Sequence, residues 1–314
     1  MIVQVIFLIV GFLCLIKGSD FFVDGASSYA TNLKISKAII GITLVAFATS
    51  IPEFAVSINA IVVNEPDFVI GNVIGTNIIN VLFILGIASI FMPLRIKKNT
   101  IKKEIPYLVI LSSVLVFLLI EKNLIVGNIN RFDSIIVIIL FAIFGYYIYT
   151  IIRDKKHLIF FEKPKYSKSK SILLVVIGLI AVIIGSNLVV NNAVIIARYF
   201  NISDRIIGLT VIAFGTSLPE ISTTFAAIRK KEQDILVENI IGSCILNICL
   251  ILGIPVLVFG TLNGGNFRII DVLFLIISVV VLFLFSKDDR VISRKNGFVM
   301  LLLFFVYYGF VIFS

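Results

Sequence analysis

IIGITLVAFATSIPEF, residues 39–54, returns as IIGLTVIAFGTSLPEI, residues 206–221. Each copy places a glutamate, Glu53 or Glu220, inside a long apolar run. The offset is 167 and holds without a gap from Gly18/Gly185 to Ile87/Ile254, so Asn80 pairs with Asn247. An acidic side chain in hydrocarbon is costly and seldom present without a use. A duplicated one points to a cation site between two repeats of a transporter.

The composition agrees with a chain that lies almost wholly in a membrane. Of 314 residues, 60% are hydrophobic and only 14% charged, where a soluble protein carries roughly a quarter. The net charge is +9, but the positive residues fall in short loops, so topology explains them and no nucleic-acid-binding face is expected. Cys14, Cys244 and Cys249 lie in apolar segments and read as small buried hydrophobes. His157, the single histidine, sits in a polar loop. The N-terminus lacks the positive region and cleavage site of a signal peptide and reads as the first span.

Apolar runs of spanning length fall at 2–25, 37–62, 68–93, 106–121 and 133–152, then at 171–199, 205–228, 235–259, 268–286 and 296–313. The predicted fold is therefore an all-α polytopic membrane protein with ten transmembrane helices. The first repeat covers 1–152, with its motif at 39–87. A linker covers 153–170, and the second repeat covers 171–314, with its motif at 206–254. Five spans per half is odd, so the second half enters from the opposite side and the repeats are inverted. Placing both termini outside puts Lys and Arg in the cytoplasmic loops at about four to one over the external ones, including Lys34, Lys37, Lys97, Arg229, Lys230 and Arg294.

Pro52 and Pro219 fall in mid-span. Proline removes a backbone donor and breaks or kinks a helix, which is expected to free carbonyls around Ala46–Thr49 and Ala213–Thr216. Irregular backbone at membrane depth is tolerated where it lines a polar cavity. Thr49 and Ser50 share a helical face with Glu53, and Thr76 shares one with Asn80. The second copy offers Thr216, Ser217 and Glu220, then Ser243 and Asn247. All are oxygen donors, which suit hard cations such as Ca²⁺ or Na⁺ and argue against Zn²⁺ or Cu⁺.

The segments AFATSIPE…GNVIGTNIIN and AFGTSLPE…ENIIGSCILN resemble the alpha-1 and alpha-2 repeats of the cation/calcium antiporter superfamily, in its prokaryotic sodium/calcium exchanger branch. The resemblance implies exchange of several Na⁺ for one Ca²⁺, electrogenic and by alternating access, with the first and sixth helices sliding over the core. It implies that Glu53 and Glu220 are the main Ca²⁺ ligands. Thr49, Ser50, Thr76, Thr216, Ser217 and Ser243, with the carbonyls of Ala46 and Ala213, would complete the Ca²⁺ and Na⁺ sites. It implies no cofactor beyond the transported ions, no enzymatic activity, a multi-pass protein of the cell membrane, and a single chain as the transport unit.

The sequence departs from that pattern in three places. Asn247 stands where related prokaryotic exchangers often have Asp, which leaves the number of Na⁺ and any proton coupling open. Ala48 replaces the motif glycine kept at Gly215, so the two halves are expected to open unequally. Glu238 stands opposite Gly71 and reads either as part of an ion access path or as a solvated acid at a helix start. Glu65 and Asp67 on one side, and Glu232 and Asp234 on the other, give acidic mouths that would concentrate cations. Asp20 and Asp24, four apart on the first helix, are expected at an interface with the core. The nearest alternative keeps the fold but couples Ca²⁺ to H⁺ or also requires K⁺. A cation channel fits poorly, because a single chain with an inverted repeat favours alternating access. An intramembrane hydrolase fits poorly too, because no nucleophile with a base partner is evident.

Overall fold

The computed structural model describes residues 2–62, 67–121, 125–126, 129–153, 163–200, 213–260 and 269–313. His157, Glu65, Gly208 and the first residues of the second motif, 206–212, lie outside them. Among the described residues, eight helices are long and apolar enough to cross a membrane: α1 (Ile2–Leu33), α2 (Lys37–Ile58), α3 (Val69–Phe91), α5 (Arg131–Arg153), α6 (Lys168–Tyr199), α8 (Gln233–Phe259), α9 (Ile269–Lys287) and α10 (Arg294–Phe313). The other two apolar runs of the sequence contain α4 (Ile105–Leu119) and α7 (Leu218–Lys230). A wide-turn segment, Thr100–Glu104, leads into α4 and carries Lys102, Lys103 and Glu104. A single turn, Ala213–Thr216, leads into α7.

Burial separates a centre from a periphery. In α3 and α8, 78% and 83% of the most apolar window is buried, against 22% in α1 and 17% in α5. The outer helices turn Phe7, Phe12, Phe117, Phe132, Ile139 and Phe298 outward. An exposed apolar belt of this kind is stable in lipid and not in water.

α1 and α6 form a close antiparallel pair. Glycines recur every seven residues, at Gly11, Gly18 and Gly25 on α1 and at Gly178 and Gly185 on α6. A β-carbon at Gly11 would stand 2.9 Å from the Gly185 carbonyl oxygen. One at Gly18 would stand 3.0 Å from that of Gly178, and one at Gly25 would stand 2.8 Å from that of Ser171. Without a hydrophobic force between helices in lipid, such close backbone approach is what holds two spans together.

Ion pairs and a short strand pair gather five connections on one face. Lys37 binds Glu232 at 2.8 Å and Lys97 binds Asp234 at 2.6 Å. Asp20 takes Arg229 at 2.8 Å, while Asp24 takes Lys230 at 2.9 Å and Lys165 at 3.0 Å. β1 (Leu94–Arg95) pairs antiparallel with β4 (Val291–Ile292). The connections after α1, α3, α5, α7 and α9 thus meet, as an alternating path through a membrane requires. A second hairpin, β2 (Ile120–Glu121) with β3 (Ile125–Val126), follows α4. Asp24 holds the Lys165 ammonium above its ordinary pKa through a direct hydrogen bond.

Two sequence expectations change here. Glu232 and Asp234 are not bare acids at a mouth, because lysines from α2 and from the α3–α4 connection neutralise them. Glu238 is not a solvated helix-start acid: it is 3% exposed, buried between helices.

Candidate cation site

The site forms where both halves interrupt their helices. The first half breaks after Thr49, with Ser50 at φ −84° and ψ 3°. The second breaks after Thr216, with Ser217 at φ −85° and ψ 2°. Both lie two residues before proline. Pro52 and Pro219 cannot donate to the carbonyls of Ala48 and Gly215, four residues back, so each ladder fails at the same point. Ala48 stands where the second half has Gly215, and the helix breaks there all the same. In the second half the Ser186 hydroxyl, on α6, donates to the Gly215 carbonyl at 3.0 Å. The Ala46 carbonyl accepts the Ser50 amide at 3.1 Å and the Thr49 hydroxyl at 3.3 Å. Of Ala213, the backbone lies in the turn before the second break.

Wide turns repeat the symmetry on the neighbouring helices. The π-helical segments Ile79–Ile84 in α3 and Asn247–Leu252 in α8 occupy corresponding positions. Such bulges rotate side chains out of the regular register and are common at functional sites. Here they fall on Asn80 and Asn247, which the sequence had paired.

The side chains converge. Thr49 lies 3.4 Å from the Ser243 hydroxyl and donates to the Asn239 side-chain oxygen at 3.2 Å. Ser243 reaches Glu220 Oε1 at 3.5 Å. The Glu53 and Glu220 carboxyl groups are near enough to interact directly. Asn247 Nδ2 donates to Thr76 Oγ1 and to Asn77 Oδ1, both at 3.0 Å. All of these residues are buried; Glu53 is 2% exposed and Glu220 1%.

Six buried oxygens here have no hydrogen-bond partner among the described residues: Ser50 Oγ, Ser217 Oγ, Glu53 Oε2, Glu220 Oε2, Asn80 Oδ1 and Asn247 Oδ1. They form three pairs related by the repeat offset. Buried polar groups are almost always satisfied, because a bare one costs about 1–3 kcal/mol. Three symmetric pairs of such oxygens, each with lone pairs to offer, give a set of groups that a cation can bind.

Comparisons with known proteins give the chain a family. The family of the sodium/calcium exchanger protein is matched over residues 3–150 and 170–313. The chain belongs to that family. It is 30% identical to the sodium/calcium exchanger MaX1 of Methanosarcina acetivorans, with 99% of each chain covered. It is 35% identical to the inner membrane protein YrbG of Escherichia coli (strain K12), over 82% of this chain and 81% of that one. Among solved structures, the sodium-calcium exchanger NCX_Mj matches with a TM-score of 0.83 and 32% identity over 97% of each chain. Exchangers are transporters, and this family member is a membrane protein.

The predicted residues separate into two groups. Glu53, Glu220, Thr49, Ser50, Thr76, Asn80, Ser217, Ser243 and Asn247 are buried around the two breaks. Thr216 ends the turn before the second break and is also buried. Glu238 faces a different cavity. Glu65 lies outside the described residues, and Asp67 is described only as the start of a helix. Sequence reasoning missed Asn77 and Asn239, which orient Asn247 and Thr49. Asn239 pairs with Asn72 at the repeat offset, so the signal was present. Asn77 falls opposite Cys244 and carried none.

Proposed function

We propose that this chain exchanges Na⁺ for Ca²⁺ across the cell membrane by alternating access. The observation that carries the reading is the set of six unpartnered oxygens in three symmetric pairs at the helix breaks. Glu53 and Glu220 would supply charge balance for one Ca²⁺. The hydroxyls of Thr49, Ser50, Thr76, Thr216, Ser217 and Ser243, the amide oxygens of Asn80 and Asn247, and the carbonyls of Ala46 and Ala213 would serve Ca²⁺ and competing Na⁺. Exchange of several Na⁺ for one Ca²⁺ makes the cycle electrogenic.

The architecture proposed is ten spans in two inverted repeats, 1–152 and 171–314, joined by a cytoplasmic linker at 153–170, with both termini outside. The antiparallel α1–α6 pair and the meeting of five connections on one basic face support it. One chain contains both halves of the site and would suffice as the transport unit.

The test is Ca²⁺ uptake into proteoliposomes loaded with Na⁺, compared with vesicles loaded with K⁺ or choline, with the pH gradient clamped. Uptake that needs internal Na⁺ supports the reading. A second reading, coupling to H⁺ or an added K⁺ requirement, is favoured by the amides Asn80 and Asn247 at the centre. Uptake driven by an outward H⁺ gradient without Na⁺ would establish H⁺ coupling instead, and Na⁺-driven uptake that also needs K⁺ would establish the K⁺ requirement.

A further inference from the structure

A second pair of buried carboxylates lies apart from the helix breaks. Glu238 is on α8, five residues before Ser243, or about 7 Å along the helix toward the face that carries the ion pairs. Glu104 ends the wide-turn segment that leads into α4. They are 3% and 6% exposed. Both line one cavity of about 100 Å³, together with Ser36 and Ile39 from the start of α2, Thr100, and Ile148 of α5. A water molecule takes up roughly 30 Å³, so an ion with one or two waters fits.

Each carboxylate has one oxygen engaged and one free. The Thr100 hydroxyl donates to Glu238 Oε1, and the Tyr147 hydroxyl donates to Glu104 Oε1. Glu238 Oε2 and Glu104 Oε2 are buried without a hydrogen-bond partner among the described residues. The nearby ammonium groups are committed elsewhere. Lys97, on the cavity rim, binds Asp234 at 2.6 Å. Lys103 lies over the Tyr147 ring, 5.1 Å from its centre. Among the described residues neither glutamate has an ion pair within 4.0 Å. Two ionised carboxylates buried without compensation would cost several kcal/mol each, and one divalent ion balances both. No third histidine, cysteine or acid joins them among the described residues. The donors are then carboxylate, hydroxyl and water, which select a hard cation.

We propose that Glu104 and Glu238, with the Thr100 hydroxyl, form a second site for one Ca²⁺, open to the ion-paired face and distinct from the site at the helix breaks. It joins α4 to α8, and α8 also carries Asn239, Ser243 and Asn247. Its few charged ligands give a weak site, with a Kd on the order of 10⁻⁴ M.

The experiment uses the full chain in detergent carrying Glu53→Gln and Glu220→Gln, so that binding at the helix breaks is removed independently. Equilibrium dialysis with Ca²⁺ is expected to find one remaining ion per chain. Adding Glu238→Gln weakens it at least about tenfold, because a charged ligand is lost. Thr100→Val weakens it less and serves as the milder variant if Glu238→Gln does not fold. Tb³⁺ provides a positional readout, since the Tyr147 phenol hydrogen-bonds to a ligand and would sensitise its emission. Tyr147→Phe is expected to dim that emission severalfold while Tb³⁺ still binds. No Ca²⁺ bound at up to about 10 mM, well above the weakest such protein sites, overturns the proposal. So does binding that ignores Glu238→Gln and Thr100→Val, or emission unchanged by Tyr147→Phe. If Glu53→Gln and Glu220→Gln leave two ions bound, the assignment at the helix breaks fails while the second site is still tested.

Discussion

The two halves of this chain agree at the helix breaks and part company away from them. Ser50 and Ser217 adopt the same dihedrals to within one or two degrees. Glu53 and Glu220 are buried alike, and the π-helical segments begin within one residue of equivalent points. Farther out, Ser186 crosses to cap the Gly215 carbonyl, while its counterpart Ser19 turns back on its own helix, to Ile16. Glu238 stands where the first half has Gly71. Asp20 and Asp24 bind basic residues of the second half, and their counterparts are Asn187 and Asn191. Symmetry is kept where both halves bring buried oxygens to the helix breaks. It is relaxed where each half meets a different environment.

The largest break in this comparison comes from the centre. Glu53→Gln and Glu220→Gln should each lower Ca²⁺ uptake by at least about 100-fold, since even the loss of an outer-shell partner costs 10–100-fold. Equal losses would mean that the two halves contribute equally. Asn247→Ala should cost less than either, because an amide carries no formal charge. Proteoliposome flux at matched protein density measures all three, and uptake surviving both glutamate variants would sink the assignment.

The next effect concerns the α1–α6 contact. A side chain at Gly178 would meet the Phe22 backbone and the Gly18 carbonyl oxygen, the latter at 2.7 Å. Gly178→Leu should destabilise the protein by about 1–3 kcal/mol, as overpacking does. Gly145→Leu, at a position with nothing within 4 Å among the described residues, should leave the melting temperature in detergent nearly unchanged. Similar losses in both would remove the special role given to the glycine repeat.

The smallest effect sharpens the asymmetry. Ser186→Ala removes the donor on the Gly215 carbonyl and should cost about 1 kcal/mol. Ser19→Ala removes only a bond to its own helix and should cost a few tenths, within the range of minor substitutions. Thermal unfolding of the two variants side by side distinguishes them; equal shifts would mean the cap does nothing for the second half.

Much of this was legible in the sequence, for reasons that can be traced. The duplicated glutamate, the proline two residues beyond each break and the oxygen donors announced themselves by position, because the chemistry tolerates few substitutes. The wide turns left no trace in residue type, since apart from Asn80 and Asn247 the segments Ile79–Ile84 and Asn247–Leu252 are apolar like their neighbours. The burial of Glu238 was hidden because its partners, Thr100 and Glu104, come from a connection 134–138 residues away in the chain. Glu232 and Asp234 look solvated in isolation, and only the fold brings Lys37 and Lys97 to them. The glycines at Gly11, Gly18 and Gly25 were plain to see, but a seven-residue spacing has meaning only once Gly178 and Gly185 face it.

That spacing also has a mechanical consequence. A glycine every seven residues lets two backbones touch only in registers that differ by about 10.5 Å along the axis. Any smaller slip would drive a side chain such as Phe22 or Leu188 into the opposite main chain. The two helices therefore behave as a zip fastened at every tooth: a push along one is carried by the other. The opening segments of the two halves, which run in opposite directions, are in this way made into one rigid girder.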